Sequence, residues 1–363
     1  MQGSHRNLVI SLLVVGAFAG LGFFLLVKNA HLPQHPLERA PAGAEMAAWV
    51  DVPKLRGSSL WQRFVVESGE DAAMRQLAER CGFDPVGQVK NLTAFVTGGE
   101  GMLEHVGLVA EGEFDHEALG RCLRSAVTED GGTLREVEIE GARAVASGHG
   151  PSRAAFVGAT GIVAGHEETV ASALRAIAGR EGSLGLKTEL RALWDRLARN
   201  RDIVAVAAIP ERWQEGLQRL LGAARANVLA PHLTELKTLG LGARVSRGLG
   251  MTLVAVTSSE EAATTLATTA RDALQRLMSN PLVMISPAGA VLSNLETRTE
   301  GAEVIVGLDI TEERLTRIFG FADRMLGALG GPAPSAAAAA TAAPAEATPT
   351  QAAAASAPPT PAR

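Results

Sequence analysis

The sequence predicts an α+β fold in which two tandem repeats of a mostly antiparallel sheet, with helices on one face, follow a transmembrane helix. Three observations indicate this fold class. An uncharged apolar run lies near the N-terminus, one order of strand-like and helix-like segments occurs twice, and strand-like runs often follow one another directly. A doubly wound parallel sheet needs regular strand–helix alternation and usually a Gly-rich phosphate loop, and the sequence has neither.

The first element is the run Leu8–Val27, which has no charged side chain. As a helix it would rise about 30 Å, the thickness of a bilayer core. A signal peptide has a shorter apolar region, and a cut after Ala19 would leave an apolar stretch at the new N-terminus. We therefore expect a retained anchor with residues 1–7 in the cytoplasm. A cleaved signal and a buried soluble helix are the alternatives.

This anchor predicts the location of the protein and its first partner. We expect a single-pass protein of the bacterial inner membrane with its body in the periplasm, because large domains are exported largely regardless of flanking charge. The span has no cysteine for lipid modification. Gly16 and Gly20 have the spacing that lets two membrane helices pack closely, which would give a homodimer, although glycine is common in such helices.

The remaining chain divides into four segments. A Pro-containing linker over residues 28–43 precedes a first repeat unit over 44–190 and a second over 191–330. Residues 331–363 consist almost entirely of Ala, Pro, Thr and Ser, which bury little apolar surface, so we expect a disordered tail.

The repeat is visible in aligned segments that keep their order. Val52-Pro53 matches Ile209-Pro210 at an offset of 157 residues. Further on, "VKNLTAFV" resembles "LKTLGLGARV", and "GLVAEGEFDHEAL" resembles "TLVAVTSSEEAATT". Ordered matches arise by chance less often than isolated ones, so we interpret the body as a duplication.

Each unit is predicted to contain the same elements in the same order: a strand, a helix opened by proline, two strands, a helix, further strands and a last helix. In the first unit the strands are expected at Met46–Val52, Leu92–Val96, Val106–Ala110, Leu134–Ile139, Ala142–Ala146, Ala154–Val157 and Ile162–Ala164. In the second they are expected at Ile203–Ile209, Ala243–Val245, Met251–Val256, Ala288–Leu292 and Glu303–Leu308, before a last helix at Glu312–Leu329.

The strings "VPKLRGSSLWQRF", "GFDP" and "FDHEAL" resemble a group of uncharacterised bacterial envelope proteins with an N-terminal export segment and tandem α+β units. The resemblance covers most of residues 44–330. It implies the same fold and an envelope location, and it supplies no catalytic residues. Unlike lipid-modified members of that group, this chain would depend on its apolar span for attachment.

Composition and motifs exclude several classes of activity. The net charge of −5 and the absence of tyrosine argue against a nucleic-acid partner. The sequence has no phosphate loop, no Gly-x-Ser-x-Gly elbow and no zinc-peptidase spacing, so we expect neither a cofactor, a metal nor a catalytic residue.

The two cysteines, Cys81 and Cys122, both lie on apolar faces of predicted helices. Outside the cytoplasm they can form a disulfide. Two buried thiols are the favoured interpretation, the disulfide is the first alternative, and a reactive thiol is the second.

A few polar residues are weak candidates for binding. Asp84 follows the end of a helix at Gly82, and His149 and His166 lie in Gly-flanked loops. Arg191, Arg196 and Arg199 cluster in "ELRALWDRLARNRD" and would suit an acidic partner or lipid headgroups. Ordinary surface roles are the competing interpretation for all six.

These observations favour a membrane-anchored, non-enzymatic binding or scaffold protein of the envelope with an unknown envelope protein as partner. An extracytoplasmic, hydrolase-like enzyme that uses His149, His166 and Asp84 is one alternative. A carrier of an apolar ligand is another.

Overall fold

The computed structural model describes residues 32–328, apart from residues 70, 99–104, 130–132, 149, 215–233 and 285. The predicted span Leu8–Val27, the predicted tail 331–363 and His149 lie outside this part of the chain. Within it, no helix combines the length and the apolar character needed to cross a membrane.

The described residues form one antiparallel sheet of twelve strands. The strands are β1 Ala44–Asp51, β2 Val89–Thr97, β3 Val106–Gly112, β4 Leu134–Ile139, β5 Ala142–Ser147, β6 Ser152–Val157, β7 Gly161–His166, β8 Ile203–Ala208, β9 Leu236–Arg244, β10 Leu249–Thr257, β11 Leu295–Glu300 and β12 Glu303–Ile310. Their spatial order is β11-β12-β10-β9-β8-β1-β2-β3-β7-β6-β5-β4. The α+β class and the antiparallel sheet predicted from the sequence are confirmed.

The helices connect these strands. They are α1 Val52–Arg56, α2 Ser59–Trp61, α3 Ala72–Cys81, α4 His116–Glu129, α5 Glu167–Ile177, α6 Thr188–Leu197, α7 Glu260–Met278, α8 Pro281–Met284, α9 Pro287–Leu292 and α10 Glu312–Ala328. A π-helical turn, Gln62–Val66, continues α2, and short 3-10 turns occupy Pro36–Arg39 and Leu184–Leu186. Gly82 ends α3 with φ of 74°, the left-handed conformation that glycine adopts readily.

The two central strands, β1 and β8, pair in a self-symmetric register. Ala48 lies opposite Ala205, which is the residue 157 positions later, and Met46 and Val50 lie opposite Ala207 and Ile203. The strand pairs next to this central pair correspond in a similar way. Phe95 lies opposite Ala47 and Gly107, while Gly242 lies opposite Val204 and Thr252.

Helices cover both faces of the sheet, so the expectation of helices on one face is wrong. Val206 and Ala207 are neighbours on β8, and their side chains therefore point to opposite faces. Val206 packs in the cluster that contains Leu193 and Leu197 of α6. Ala207 packs in the cluster that contains Leu266 of α7. We call the face that carries Val206 the strap face.

Residues 32–43, which we call the strap, are part of the core. Leu37 and Ala40 are completely buried, and Arg39 donates from its guanidinium to Glu111 Oε2 at 2.8 Å. Residues of the linker predicted over 28–43 therefore pack into the core. Apolar residues between the prolines pack against the body and stabilise one conformation. The predicted boundary at 190/191 falls inside α6.

The strap crosses its face from one end of the sheet to the other. Leu32 lies over Gly161, where a β-carbon would be 3.0 Å from Leu32 Cγ. Gly161 begins β7 at the end of the sheet where β1 ends and β8 begins, which we call the Asp202 end. The strap then reaches Ala44, which begins β1 at the other end, the Ala44 end.

The second half of the sheet departs from the prediction near its edge. Residues Ala288–Leu292, expected to form a strand, lie in helix α9, because Ser286 accepts a hydrogen bond from the Gly289 amide and Pro287 occupies the first turn. The strand in this region is β11, with the alternating polar sequence "LETRTE".

Candidate binding surface

An exposed apolar surface lies mainly on the helices of the second half and includes Phe64 of the first half. The described residues include seven exposed large hydrophobic side chains, and five of them lie on α7, α8, α10 and the π-helical turn that contacts α10. We call these five the apolar layer: Phe64, Leu277, Leu282, Met284 and Phe321. Contiguous exposed apolar surface of this kind marks interaction sites more often than scattered single residues do.

The chain brings the layer together through short capped helices. Pro281 opens α8 directly after α7, and α9 packs against both α7 and α10. The ring of Phe64 contacts Phe319 of α10 edge-on at 5.6 Å between ring centres. Below the layer, Ile318 and Leu315 are buried against β12.

A groove of about 470 Å³ opens within this surface. It is lined by Met284, Ser286, Ala290, Arg314, Arg317, Ile318 and Phe321. Arg314 donates to Asn294 Oδ1 at 2.7 Å, whereas Arg317 forms no ion pair with any described residue. The groove therefore offers apolar walls and a cation that has no partner among the described side chains.

A second, polar cleft of about 330 Å³ lies on the strap face at the Asp202 end. Arg201 donates to Thr252 Oγ1 at 2.8 Å, and Arg244 pairs with both carboxylate oxygens of Asp309 at 3.2 Å. Because these arginines already have partners, the cleft is less suited to bind a further anion than the groove at Arg317.

The sulfur atoms of Cys81 and Cys122 are joined in a disulfide, with the Cα atoms 4.9 Å apart. The bond connects the end of α3 to the middle of α4 and thus ties together two helices of the first half.

Asp84 has a structural role. Its carboxylate accepts from the Gly87 amide at 2.8 Å and from Arg56 at 3.0 Å. Burial on its own raises the pKa of Asp84, but these two donors outweigh it and hold the pKa below its ordinary value. This arrangement closes the turn after α3.

The structure does not bring Asp84 and His166 together. Asp84 precedes β2, which begins at the Asp202 end, whereas His166 ends β7 at the Ala44 end. The five residue steps of β7 alone span about 17 Å. His149, the third member of the predicted set, lies outside the described residues. No group of three metal-ligating side chains occurs in the described part of the chain.

The three candidate arginines do not form one patch. Arg191 pairs with Glu38 of the strap at 2.7 Å, and Arg196 pairs with Glu303 of β12 at 2.6 Å. Arg199 is exposed near the end of α6. Two of the three therefore connect α6 to its neighbours.

His116 has an unusual environment that the sequence did not reveal. Its ring lies 4.6 Å from the ring of Phe156, and its Nε2 atom is buried without a described hydrogen-bond partner. Burial, reinforced by the charge of Arg143, lowers the pKa of His116. No spacing in the sequence places Phe156 beside this residue, so the signal exists only in the fold.

A buried carboxylate joins the two halves at the centre of the sheet. Asp202 accepts from the Val245 and Ser246 amides at 2.8 and 2.9 Å and lies 3.6 Å from Lys54 Nζ. Burial raises the pKa of Asp202, but these donors together bring the pKa below its ordinary value. At the position 157 residues earlier, Glu45 pairs with Arg212.

Comparisons with known proteins give no family for the chain. No family model matches it, and no curated protein does. Three crystal forms of the protein TP0453 resemble its structure. Form I has a TM-score of 0.47 at 11% identity over 79% of this chain and 97% of that one. Form III has 0.47 at 12% over 79% and 98%, and form IV 0.45 at 12% over 80% and 98%. This similarity bears on neither activity nor partners.

Proposed function

We propose that the chain is a non-enzymatic binding or scaffold protein of the bacterial envelope, held in the inner membrane by Leu8–Val27 with its body in the periplasm. The observation that carries the proposal is the strap. The residues that follow the predicted span by a short interval pack into the core, with Leu37 and Ala40 buried. The body is therefore held close to its point of attachment instead of hanging from a long flexible linker.

The disulfide supports the periplasmic location. Disulfides persist in oxidising compartments such as the periplasm and are rare in the cytosol. The bond between Cys81 and Cys122 connects two helices of a folded body, which suits a protein exported before it folds.

The registers of the sheet support the proposal that the body is a tandem duplication. The central pair β1–β8 maps onto itself at the offset of 157 residues that relates Val52-Pro53 to Ile209-Pro210. The pairs Phe95–Gly107 and Gly242–Thr252 continue the same correspondence at offsets of 147 and 145 residues. Those two offsets also align "VKNLTAFV" with "LKTLGLGARV" and "GLVAEG" with "TLVAVT".

We place the binding surface on the apolar layer. Four of the five layer side chains lie on helices of the second half, and the fifth, Phe64, contacts Phe319 there, so the described residues expose several large apolar groups in this region. A scaffold needs such a surface, since burying it drives association. The enzyme alternative has less support, because Asp84 lies at the Asp202 end of the sheet and His166 lies at the Ala44 end.

One observation favours a second candidate, a carrier of an apolar ligand with an acidic group. The groove at Arg317 has a volume within the range of small-molecule sites and combines apolar walls with a cation. Native mass spectrometry of the purified full chain would test it. A bound amphiphile that is lost in Arg317→Glu and kept in Arg276→Glu would support the carrier.

The anchored arrangement can be tested by alkaline carbonate extraction combined with the intact mass of the membrane-bound protein. We expect the full chain to stay in the membrane pellet with the span present in its mass. The double variant Val15→Arg/Phe18→Arg should be extracted, because a charge at the centre of a span costs roughly 3 kcal/mol, whereas the control Ser11→Thr should not. A mature chain that begins at Gly20 or later would contradict the proposal.

A further inference from the structure

We propose that the apolar layer lies against the surface of the same bilayer that anchors the chain. This inference rests on the proposed function, because it takes the span as retained. It names the partner of the layer: phospholipid, with the apolar side chains in the interface and the arginines at the level of the phosphates.

Three side chains of the layer, Leu277, Leu282 and Met284, lie at the end of the sheet from which the strap enters. Helix α7 follows β10 at the Ala44 end and, with 19 residues, rises about 28 Å, which carries Leu277 to the Asp202 end. Helices α8 and α9 come next and lead into β11 at Leu295, which lies opposite Leu308 close to that end. Leu32 lies over Gly161 at the same end.

The tether is too short to turn the other end toward the membrane. From Val27 to Leu32 the chain spans at most about 17 Å. Strand β1, with eight residues, is about 24 Å long. With the strands upright, contact of the Ala44 end with the bilayer would lift Leu32 farther from the membrane than the tether reaches. The Asp202 end therefore faces the bilayer.

The chemistry of the layer suits a lipid interface. Leu282 and Met284 project from the four-residue helix α8, with 74% and 62% of their surfaces exposed. Arg314 and Arg317 line the groove beside Met284. Amphipathic helical surfaces with leucine and phenylalanine on one side and arginine beside them bind in the interface plane. Because the chain is already tethered, weak affinity is sufficient to keep the layer docked.

Leu186 provides a matched control. It is a leucine with 72% of its surface exposed, close to the 74% of Leu282. It lies near the Ala44 end, in a turn beside Ser183, which bridges to Pro41 of the strap. If the Asp202 end faces the membrane, Leu282 contacts lipid and Leu186 stays in water.

The experiment uses the full chain reconstituted in vesicles of phosphatidylcholine and phosphatidylglycerol at a ratio of three to one. An environment-sensitive fluorophore is attached to Leu282→Cys or, separately, to Leu186→Cys, since the two native cysteines are paired. Lipids brominated along the acyl chain then report contact by quenching. We expect at least threefold stronger quenching at position 282 than at position 186. Equal quenching at both positions would overturn the proposal.

A second variant separates lipid from a protein partner. With the label at Phe321→Cys, the added changes Leu277→Asp and Met284→Asp should reduce quenching to the level at position 186. Protection of position 282 from an aqueous quencher without quenching by brominated lipid would instead indicate a protein interface and refute lipid docking. Carbonate extraction of the same samples keeps the two proposals distinct. A chain that is retained but not quenched at 282 contradicts only the docking, whereas an extracted chain contradicts the anchor itself.

Discussion

Five strands correspond in the two halves of the sheet, β1-β2-β3-β7-β6 and β8-β9-β10-β12-β11, but the helices that follow β7 and β12 lie on opposite faces. In the first half, α5 lies on the strap face, where Val170 and Leu174 are buried against β3, β6 and β7. In the second half, α10 lies on the opposite face, where Leu315 and Ile318 pack against Leu308 and Ile310. We call the first half, whose helix after β7 is buried, the closed half, and the second half, which carries four of the seven exposed large hydrophobic side chains of the described residues, the open half.

The stability of the closed half should depend strongly on its disulfide. Cys81 and Cys122 are 41 residues apart, and closing a loop of that length removes denatured-state entropy equivalent to about 4 kcal/mol in the chain-entropy model. We expect the double variant Cys81→Ser/Cys122→Ser to lose about 2–4 kcal/mol of unfolding free energy in urea denaturation. Reduction of the wild type should produce a similar loss, and a reductant should not affect the variant. An unchanged denaturation midpoint would show that the helices pack equally well without the bond.

The strap should contribute nearly as much to the free energy of unfolding as the disulfide does. Leu37→Ala removes a completely buried side chain, and such truncations cost about 2–5 kcal/mol. The control Leu186→Ala truncates an exposed leucine and should change stability by less than about 0.5 kcal/mol. Urea denaturation of both variants measures the difference. Equal, small effects would mean that residues 32–43 are a linker after all.

Two matched carboxylates beside the central strands allow a contact within the second half to be compared with a contact between the halves. Asp202→Ala leaves the Val245 and Ser246 amides without their acceptor, and we expect a loss of about 2 kcal/mol. Glu45→Ala, at the matched position, should cost less, because its partner Arg212 is half exposed. Thermal unfolding at neutral pH compares them. A larger loss for Glu45→Ala would show that the ion pair between the halves matters more for stability than the turn after β9 that Asp202 holds.

The smallest expected effect is the pH dependence of stability that is caused by His116 in the closed half. Since burial lowers the pKa of His116 in the folded state, the unfolded chain takes up the proton more readily below pH 6.5. The stability from neutral His116 is thus complete above about pH 6.5 and is lost as the pH falls through the folded pKa.

The variant His116→Phe removes this proton uptake and should flatten the change in unfolding free energy between pH 7.5 and 5.5 by on the order of 1 kcal/mol or less. Carboxylates titrate mostly below this window. Denaturant midpoints at the two pH values check the prediction, and identical slopes for variant and wild type would refute it.

Local sequence signals predicted much of the fold. Strand β4 has the predicted bounds, and helix α10 begins at the predicted Glu312, because alternation and the 3.6-residue period were clear there. Strand β11 was missed because an edge strand with mostly exposed residues has little apolar alternation. The face of the sheet that each helix covers could not be predicted either, since an apolar stripe on a helix does not specify which side of a sheet it packs against.

The candidate surface was harder to predict than the fold. Leu266 and Leu277 are both leucines of the amphipathic helix α7, yet Leu266 is buried and Leu277 is exposed, so the local sequence did not indicate which of them the fold covers. The strap was missed for the opposite reason. Prolines suggested a linker, while burial of Leu37 depends on contacts with residues far away in the chain, such as those of α5.

The pairing of Ala48 with Ala205 has a consequence for the origin of the molecule, if the halves derive from one unit as we propose. In a single unit, β1 would be an unprotected edge strand, and the register shows that this edge is complementary to itself. Two free copies would join edge to edge about a two-fold axis through this alanine. The ancestor would then have been a homodimer, and fusion of two gene copies would have allowed the second half to diverge from the first.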